Sequence, residues 1–151
     1  QERDMNHLMK RADQCDKANL EMERHSRSSN LRIGGIDENP NEDCKAVTLA
    51  VLTKLDVGNV DIENVHRVGS KEEGKTRMMI VRFVRRTERR EVLVKRKEFF
   101  EKNFPLYEDL PKADLVIKKK YKKEIANHYL KKDKCYFARG AWFVNNIKKY
   151  W

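Results

Sequence analysis

At 151 residues the chain has room for one ordinary domain or two small ones, which excludes a large enzyme core. Hydrophobic residues make up 39% and charged residues 38%, enough for a modest core beneath an unusually charged surface. The net charge of +10 is segregated: residues 67–98 hold twelve Lys/Arg against five Asp/Glu and residues 112–151 twelve against three, whereas residues 28–66 hold three against seven. Cationic charge gathered in this way is the footprint of a surface that meets phosphates.

The first 25 residues contain no Gly or Pro and fit a heptad frame, with Met5, Ala12 and Asn19 at one seam position and Leu8, Cys15 and Met22 at the other. Three heptads are marginal alone. The segment therefore reads as the C-terminal end of a longer coiled coil, in a chain that opens at Gln1 and is expected to be a piece of a longer protein. A single amphipathic helix docked on its own domain is the competing expectation. Ser26 to Asn30 is a polar break containing Arg27, a candidate RNA contact, and Leu31 to Ile36 a short strand ending in a Gly-Gly bend.

Asp37 to Asp43 is a loop. Ala46, Val47, Leu49, Ala50, Leu52 and Leu55 then carry the helical period, with Gly58 expected just past its end. A second strand is predicted through Val60, Ile62 and Val65 to Val68, and Met78 to Val84 is the strongest strand signal in the chain. Thr87 to Phe99 returns to helical character with Val92, Leu93 and Phe99 buried, and Pro105 to Tyr107 makes a fourth short strand. The order strand, helix, strand, strand, helix, strand is the split β-α-β arrangement of ferredoxin-like and RNA-recognition-motif domains. Pro111 opens a final helix predicted to run to about Lys132, with Leu115, Tyr121, Ile125 and Tyr129 as its apolar stripe. A hairpin follows, Cys135 to Ala138 and Ala141 to Val144, turning at Arg139 and Gly140.

The expected class is α+β: a coiled-coil end and hinge over 1–27, a recognition-motif-like βαββαβ domain over 28–110, and a small basic helix-plus-hairpin domain over 111–151. In such a domain the first and third strands build the open sheet face, where aromatic side chains usually stack on bases. Here alternation sends Met79, Val81 and Phe83 to the core and puts Met78 and Ile80 at the two platform positions, with Arg82 on the same face. Leu31 and Ile33 point inward, which places Arg32 on the open face beside Arg82. Binding is therefore expected to lean on arginine contacts to phosphate, with weak sequence preference.

Gly69 to Thr76 matches the phosphate-loop pattern G-x-x-x-x-G-K-T, yet Thr76 leads toward a strand and not toward the helix that such a loop needs. A basic hairpin loop flanked by Arg67, Lys71, Lys75 and Arg77 is the better expectation, and nucleotide hydrolysis the third-ranked one. His7, His25, His66 and His128 are scattered, and neither a metal site nor a nucleophile with partners is expected. Cys15, Cys44 and Cys135 read as free thiols of a reducing compartment. No apolar run approaches the ~20 residues that span a bilayer. In the last segment Lys118, Lys119 and Lys122 on the helix, with Tyr136, Phe137 and Arg139 on the hairpin, interleave cations and aromatics as single-stranded nucleic acid requires.

Several motifs in order resemble the RNA-binding first open reading frame proteins of LINE-type retrotransposons. These are Asn30-Leu31-Arg32-Ile33-Gly34-Gly35-Ile36 after a coiled coil, Val65-His66-Arg67-Val68-Gly69, Ile80-Val81-Arg82-Phe83, Asp109-Leu110-Pro111, and Tyr136-Phe137-Ala138-Arg139-Gly140. The resemblance implies a coiled-coil homotrimer that binds single-stranded RNA, or single-stranded DNA, and acts as a nucleic-acid chaperone in cytoplasmic ribonucleoprotein particles, with access to the nucleus. It implies no cofactor, small-molecule substrate, membrane or enzymatic step. By matched motif it puts RNA contacts on Arg32, Arg67, Arg77, Arg82 and an aromatic of the hairpin, best placed at Phe137. The segment after the hairpin is shorter than in mammalian members. The alternative function is a protein assembly module whose basic charge is incidental.

Overall fold

The computed structural model describes residues 1–151, which are α+β and divide into two compact units: Ser26–Asp109, and Gln1–His25 together with Leu110–Trp151. The first helix, α1 (Glu2–Arg27), lies almost wholly in the second of these. A helix and a C-terminal segment far apart in sequence thus share one unit.

The Ser26–Asp109 unit is a four-stranded antiparallel sheet, β1 (Asn30–Ile33), β2 (Ile62–Arg67), β3 (Met79–Phe83) and β4 (Leu106–Glu108), in the order β2-β3-β1-β4. Helix α2 (Cys44–Lys54) follows β1, and α3 (Arg86–Val94) and α4 (Arg96–Glu101) follow β3. Alternation along β1 and β3 buries Leu31, Ile33, Met79, Val81 and Phe83 against Val51, Leu52, Val92 and Phe99 of the helices and Leu55 just after α2.

Asp43 caps α2 by accepting from the Ala46 N–H at 3.1 Å. The helix ends differently from expectation: Asp56 takes the left-handed conformation (φ 60°), and the Val57 N–H returns to the Leu52 carbonyl at 2.9 Å. Gly58 instead lets the backbone pass close to Thr53, whose Oγ1 would lie 2.3 Å from a Cβ there. Gly35 (φ 77°) is needed for a like reason, since a Cβ would meet the Asn103 carbonyl oxygen at 2.1 Å. The predicted continuous helix of residues 87–99 is broken at Lys95, whose Nζ donates to the Leu55 carbonyl at 3.0 Å.

The other unit contains α5 (Lys112–Lys120), α6 (Lys122–Leu130) and a three-stranded antiparallel sheet of β5 (Cys135–Ala138), β6 (Ala141–Val144) and β7 (Ile147–Tyr150). The single final helix expected from sequence is interrupted at Tyr121 (φ −102°, ψ 19°). The phase change leaves Ile125 buried and Tyr121 half-buried but turns Leu115 and Tyr129 outward. Both hairpin turns put two consecutive residues at positive φ, Arg139–Gly140 (49° and 74°) and Asn145–Asn146 (51° and 67°), the type I′ pattern that matches strand twist. The second turn adds β7, which had not been anticipated. Ile125, Trp142 and Val144 form this core with Tyr121, Cys135, Phe137 and Tyr150 packed round it.

Helix α1 contributes no buried residue. It is tied in near its end by Arg24, whose Nε and Nη2 donate to the two oxygens of the buried Asp114 carboxylate at 2.7 and 2.8 Å. No helix is long and apolar enough to cross a membrane.

Candidate nucleic-acid interface

On the four-stranded sheet the face turned from the core is assembled by cross-strand pairing. Arg32 of β1 stands opposite Ile80, and Asn30 opposite Arg82. Arg32 and Arg82 are therefore diagonal neighbours on one face, side by side as expected. β2 adds His66 opposite Ile80 and Asn64 opposite Arg82, and β4 adds Tyr107 opposite Arg32. Tyr107, read from sequence only as part of a short strand, puts an aromatic on the face where the two platform positions hold Met78 and Ile80.

Most of the arginines are held by carboxylates. Asp109, 4% exposed, accepts from Asn30 Nδ2 at 3.0 Å, Arg27 Nη1 at 2.9 Å and Arg32 Nε at 3.0 Å. Burial alone would push the Asp109 carboxyl up, but the hydrogen bonds from Asn30 and Arg32 and the charges of Arg27 and Arg32 hold it below the usual carboxylate range. Arg82 donates to the Ser26 carbonyl at 3.0 Å and lies 3.6 Å from Glu63. Arg77 is bonded to Glu38 and to the Gly69 carbonyl.

Arg67 departs furthest from its expected role as a phosphate contact. Its side chain is only 5% exposed. Nε and Nη2 donate to Glu42 at 2.7 and 2.9 Å, Nη1 to the carbonyls of Ile36 and Arg77, and Nη2 also to the carbonyl of Asp37. These five bonds use all five guanidinium donors. Arg67 is a structural residue that clips the loop after β1 to the end of β2.

The loop from Gly69 to Thr76 joins β2 to β3, so no helix follows it, and Lys75 Nζ lies 3.0 Å from Glu72. Lys71 and Lys75 are exposed. No group of three or more His, Cys, Asp or Glu side chains is placed to hold a metal ion, and all three cysteines are free thiols. His128 is built into its own unit, with Nδ1 2.8 Å from Asp133 and Nε2 2.9 Å from the Tyr150 hydroxyl.

The three-stranded sheet separates the hairpin aromatics by face. Phe137 pairs with Trp142 on the core side, their rings 5.3 Å apart with Lys118 Nζ 5.8 Å from the Phe137 centroid. Trp142 Nε1 donates to the Lys118 carbonyl at 3.2 Å. Phe137 is thus a half-buried packing residue, at the position where the resemblance implies an RNA contact. Its neighbour Tyr136 faces out and stacks on Phe143 with centroids 4.9 Å apart and planes 2° from parallel. Lys148 pairs with Phe143 in the register, and its Nζ sits 4.7 Å from the centroid of the exposed Trp151 ring. Phe143, Lys148 and Trp151 were missed from sequence, although counting outward from the Arg139–Gly140 turn pairs residue 136 with 143. Lys119, Lys122 and Arg139 are exposed in the same unit.

All six seam residues of α1, Met5, Leu8, Ala12, Cys15, Asn19 and Met22, are exposed along one chain. Comparison with protein-family models and with curated proteins yields no match.

Proposed function

We propose that the chain is a single-stranded RNA-binding protein of low sequence preference, assembled through α1. The observation that carries this is the outward Tyr136–Phe143 stack, edged by Lys148 and Trp151 and set in a segment with twelve Lys/Arg against three Asp/Glu. Stacked aromatics accept any base, and lysines accept any phosphate. The carboxylate-paired arginines of the four-stranded sheet make a weaker second surface, on which the Arg32 and Arg82 side chains stay partly exposed. Arg67 is left out of the RNA contacts.

The strand order β2-β3-β1-β4, with one helical segment after β1 and another after β3, supports reading the Ser26–Asp109 unit as recognition-motif-like and ferredoxin-like. We carry the resemblance to LINE-type first open reading frame proteins to the same level: a homotrimer with nucleic-acid chaperone activity in cytoplasmic ribonucleoprotein particles. An apolar seam of Met5, Leu8 and Met22 left bare on a helix without buried residues supports self-association, which would bring several copies of a weak grip to one strand.

The test is light scattering of the chain with and without a single-stranded RNA of about 20 to 30 nucleotides at two salt concentrations. An oligomer that binds RNA, with affinity falling steeply as salt rises, is the expected result. An RNA-indifferent oligomer would support the assembly-module alternative.

A further inference from the structure

The edge of the four-stranded sheet carries an aromatic cluster that no motif of the sequence marks. Phe99 and Phe100 are adjacent in α4, yet Phe99 is fully buried while Phe100 is 42% exposed. Phe100 meets Tyr107 of β4, 41% exposed, edge to face with centroids 5.5 Å apart and planes at 88°. The guanidinium of Arg96 lies 5.5 Å from the Phe100 centroid and 5.8 Å from that of Tyr107. The edge-to-face contact and Arg96 cover only part of the two rings, and with both residues exposed, flat apolar surface remains open to another planar group.

We infer that Phe100, Tyr107 and Arg96 form a stacking site for one unpaired base of a single-stranded RNA, placed at the β4 edge. This rests on the proposed RNA binding and locates a second contact for it. Three features favour a base over an apolar side chain of a partner protein. Tyr107 stands opposite Arg32 on the open face, so a strand stacked there has a guanidinium one position away for its phosphate. Arg96 adds a cation over the rings, where a base can stack against both guanidinium and aromatic planes. Residues 85–102 hold eight Lys/Arg against four Asp/Glu, which suits a polyanion. The central strand position, where Ile80 stands, is apolar and flat-faced groups are absent from it, so the base platform is displaced sideways by two strands.

The experiment measures binding of the full chain to a uridine oligonucleotide of about 20 nucleotides and to its abasic counterpart, which keeps the phosphates but has no bases. Tyr107→Leu and Phe100→Leu keep apolar bulk in the cluster, and their melting temperatures are compared with that of the original chain. Each variant is expected to bind the uridine strand about tenfold more weakly, the loss of one base–aromatic stack, with an unchanged salt slope. The abasic strand should be bound equally by all three proteins. Ultraviolet crosslinking of 5-iodouridine RNA to the unaltered chain should label Tyr107 or Phe100, a readout independent of variant folding. Equal affinity of variants and original for the uridine strand overturns the inference, as does crosslinking confined to Tyr136 and its neighbours, and either leaves the RNA-binding function standing. A chain that binds neither oligonucleotide overturns both.

Discussion

Arg67 and Glu42 form a two-pronged ion pair, 2.7 and 2.9 Å long, in which the arginine also holds the carbonyls of Ile36, Asp37 and Arg77. The hydrogen bonds and charge of Arg67, outweighing burial, hold the Glu42 carboxyl at about 2. Glu42→Gln strands a buried guanidinium and should destabilise the chain by about 3 kcal/mol, read by urea denaturation. Because the folded-state value is depressed, this stabilisation is complete above the ordinary glutamate range and is lost as the pH falls from about 4.5 toward about 2. The variant should therefore lose less stability than the original chain over that interval.

Asp109 neutralises Arg27 and Arg32 from a buried position while both arginine side chains stay about one-third exposed. Asp109→Asn removes the charge and keeps the shape. Two effects of opposite sign are expected. Stability should fall by about 2 kcal/mol, since hydrogen bonds to a charged group are lost. RNA affinity should rise, with a salt dependence steeper by about one unit for each arginine that turns to a phosphate. Filter binding across a salt series measures this. Protonation acts in the same direction: the depressed Asp109 value means that its stabilising contribution is present above about pH 4 and is lost below it.

Gly140 supplies a third expectation. It combines φ 74° with a site where a Cβ would lie 2.7 Å from Arg24 Nη2 and 2.9 Å from Asp114 Oδ1. Those atoms are the two ends of one ion pair, so neither can move aside without breaking it. Gly140→Ala should cost more than the ~1 kcal/mol of a left-handed alanine, about 3 kcal/mol in all. Thermal melting measures the loss, and limited proteolysis should then cut near Arg24.

How much of this was legible depends on whether a residue's partners are near it in sequence. β3 announced itself because Met79, Val81 and Phe83 alternate with Ile80 and Arg82, and the Arg139–Gly140 turn named its own hairpin. Asn145–Asn146 carried an equally good turn signal before β7, and it was overlooked because the segment after it is half lysine. Arg67 could not be read at all. Its acceptors come from Ile36, Asp37, Glu42 and Arg77, which only the folded chain brings to one point, so from sequence it looked like any basic residue beside a loop. The break at Tyr121 was hidden because every flanking residue tolerates a helix, and one non-helical residue was enough to change which side chains face the core.

The neighbours Tyr136 and Phe137 turn that last point into an experiment, since a strand's two faces put adjacent residues to opposite uses. Phe137 packs against Trp142 and Ile125's cluster, so Phe137→Ala should destabilise the chain by about 3 kcal/mol. Its effect on RNA affinity, measured where the variant is still folded, should be small. Tyr136 is 45% exposed and touches Phe143 by one ring face, so Tyr136→Ala should shift the melting temperature little. It should nevertheless weaken RNA binding by about 1 to 2 kcal/mol without altering the salt slope, because what is removed is a stack and not a charge. Lys148→Ala should do the reverse, lowering the slope by about one unit while leaving the stack in place. If Phe137→Ala weakened binding at full stability while Tyr136→Ala left it unchanged, the hairpin would be turned over relative to its RNA, and the core side would have to open to bind.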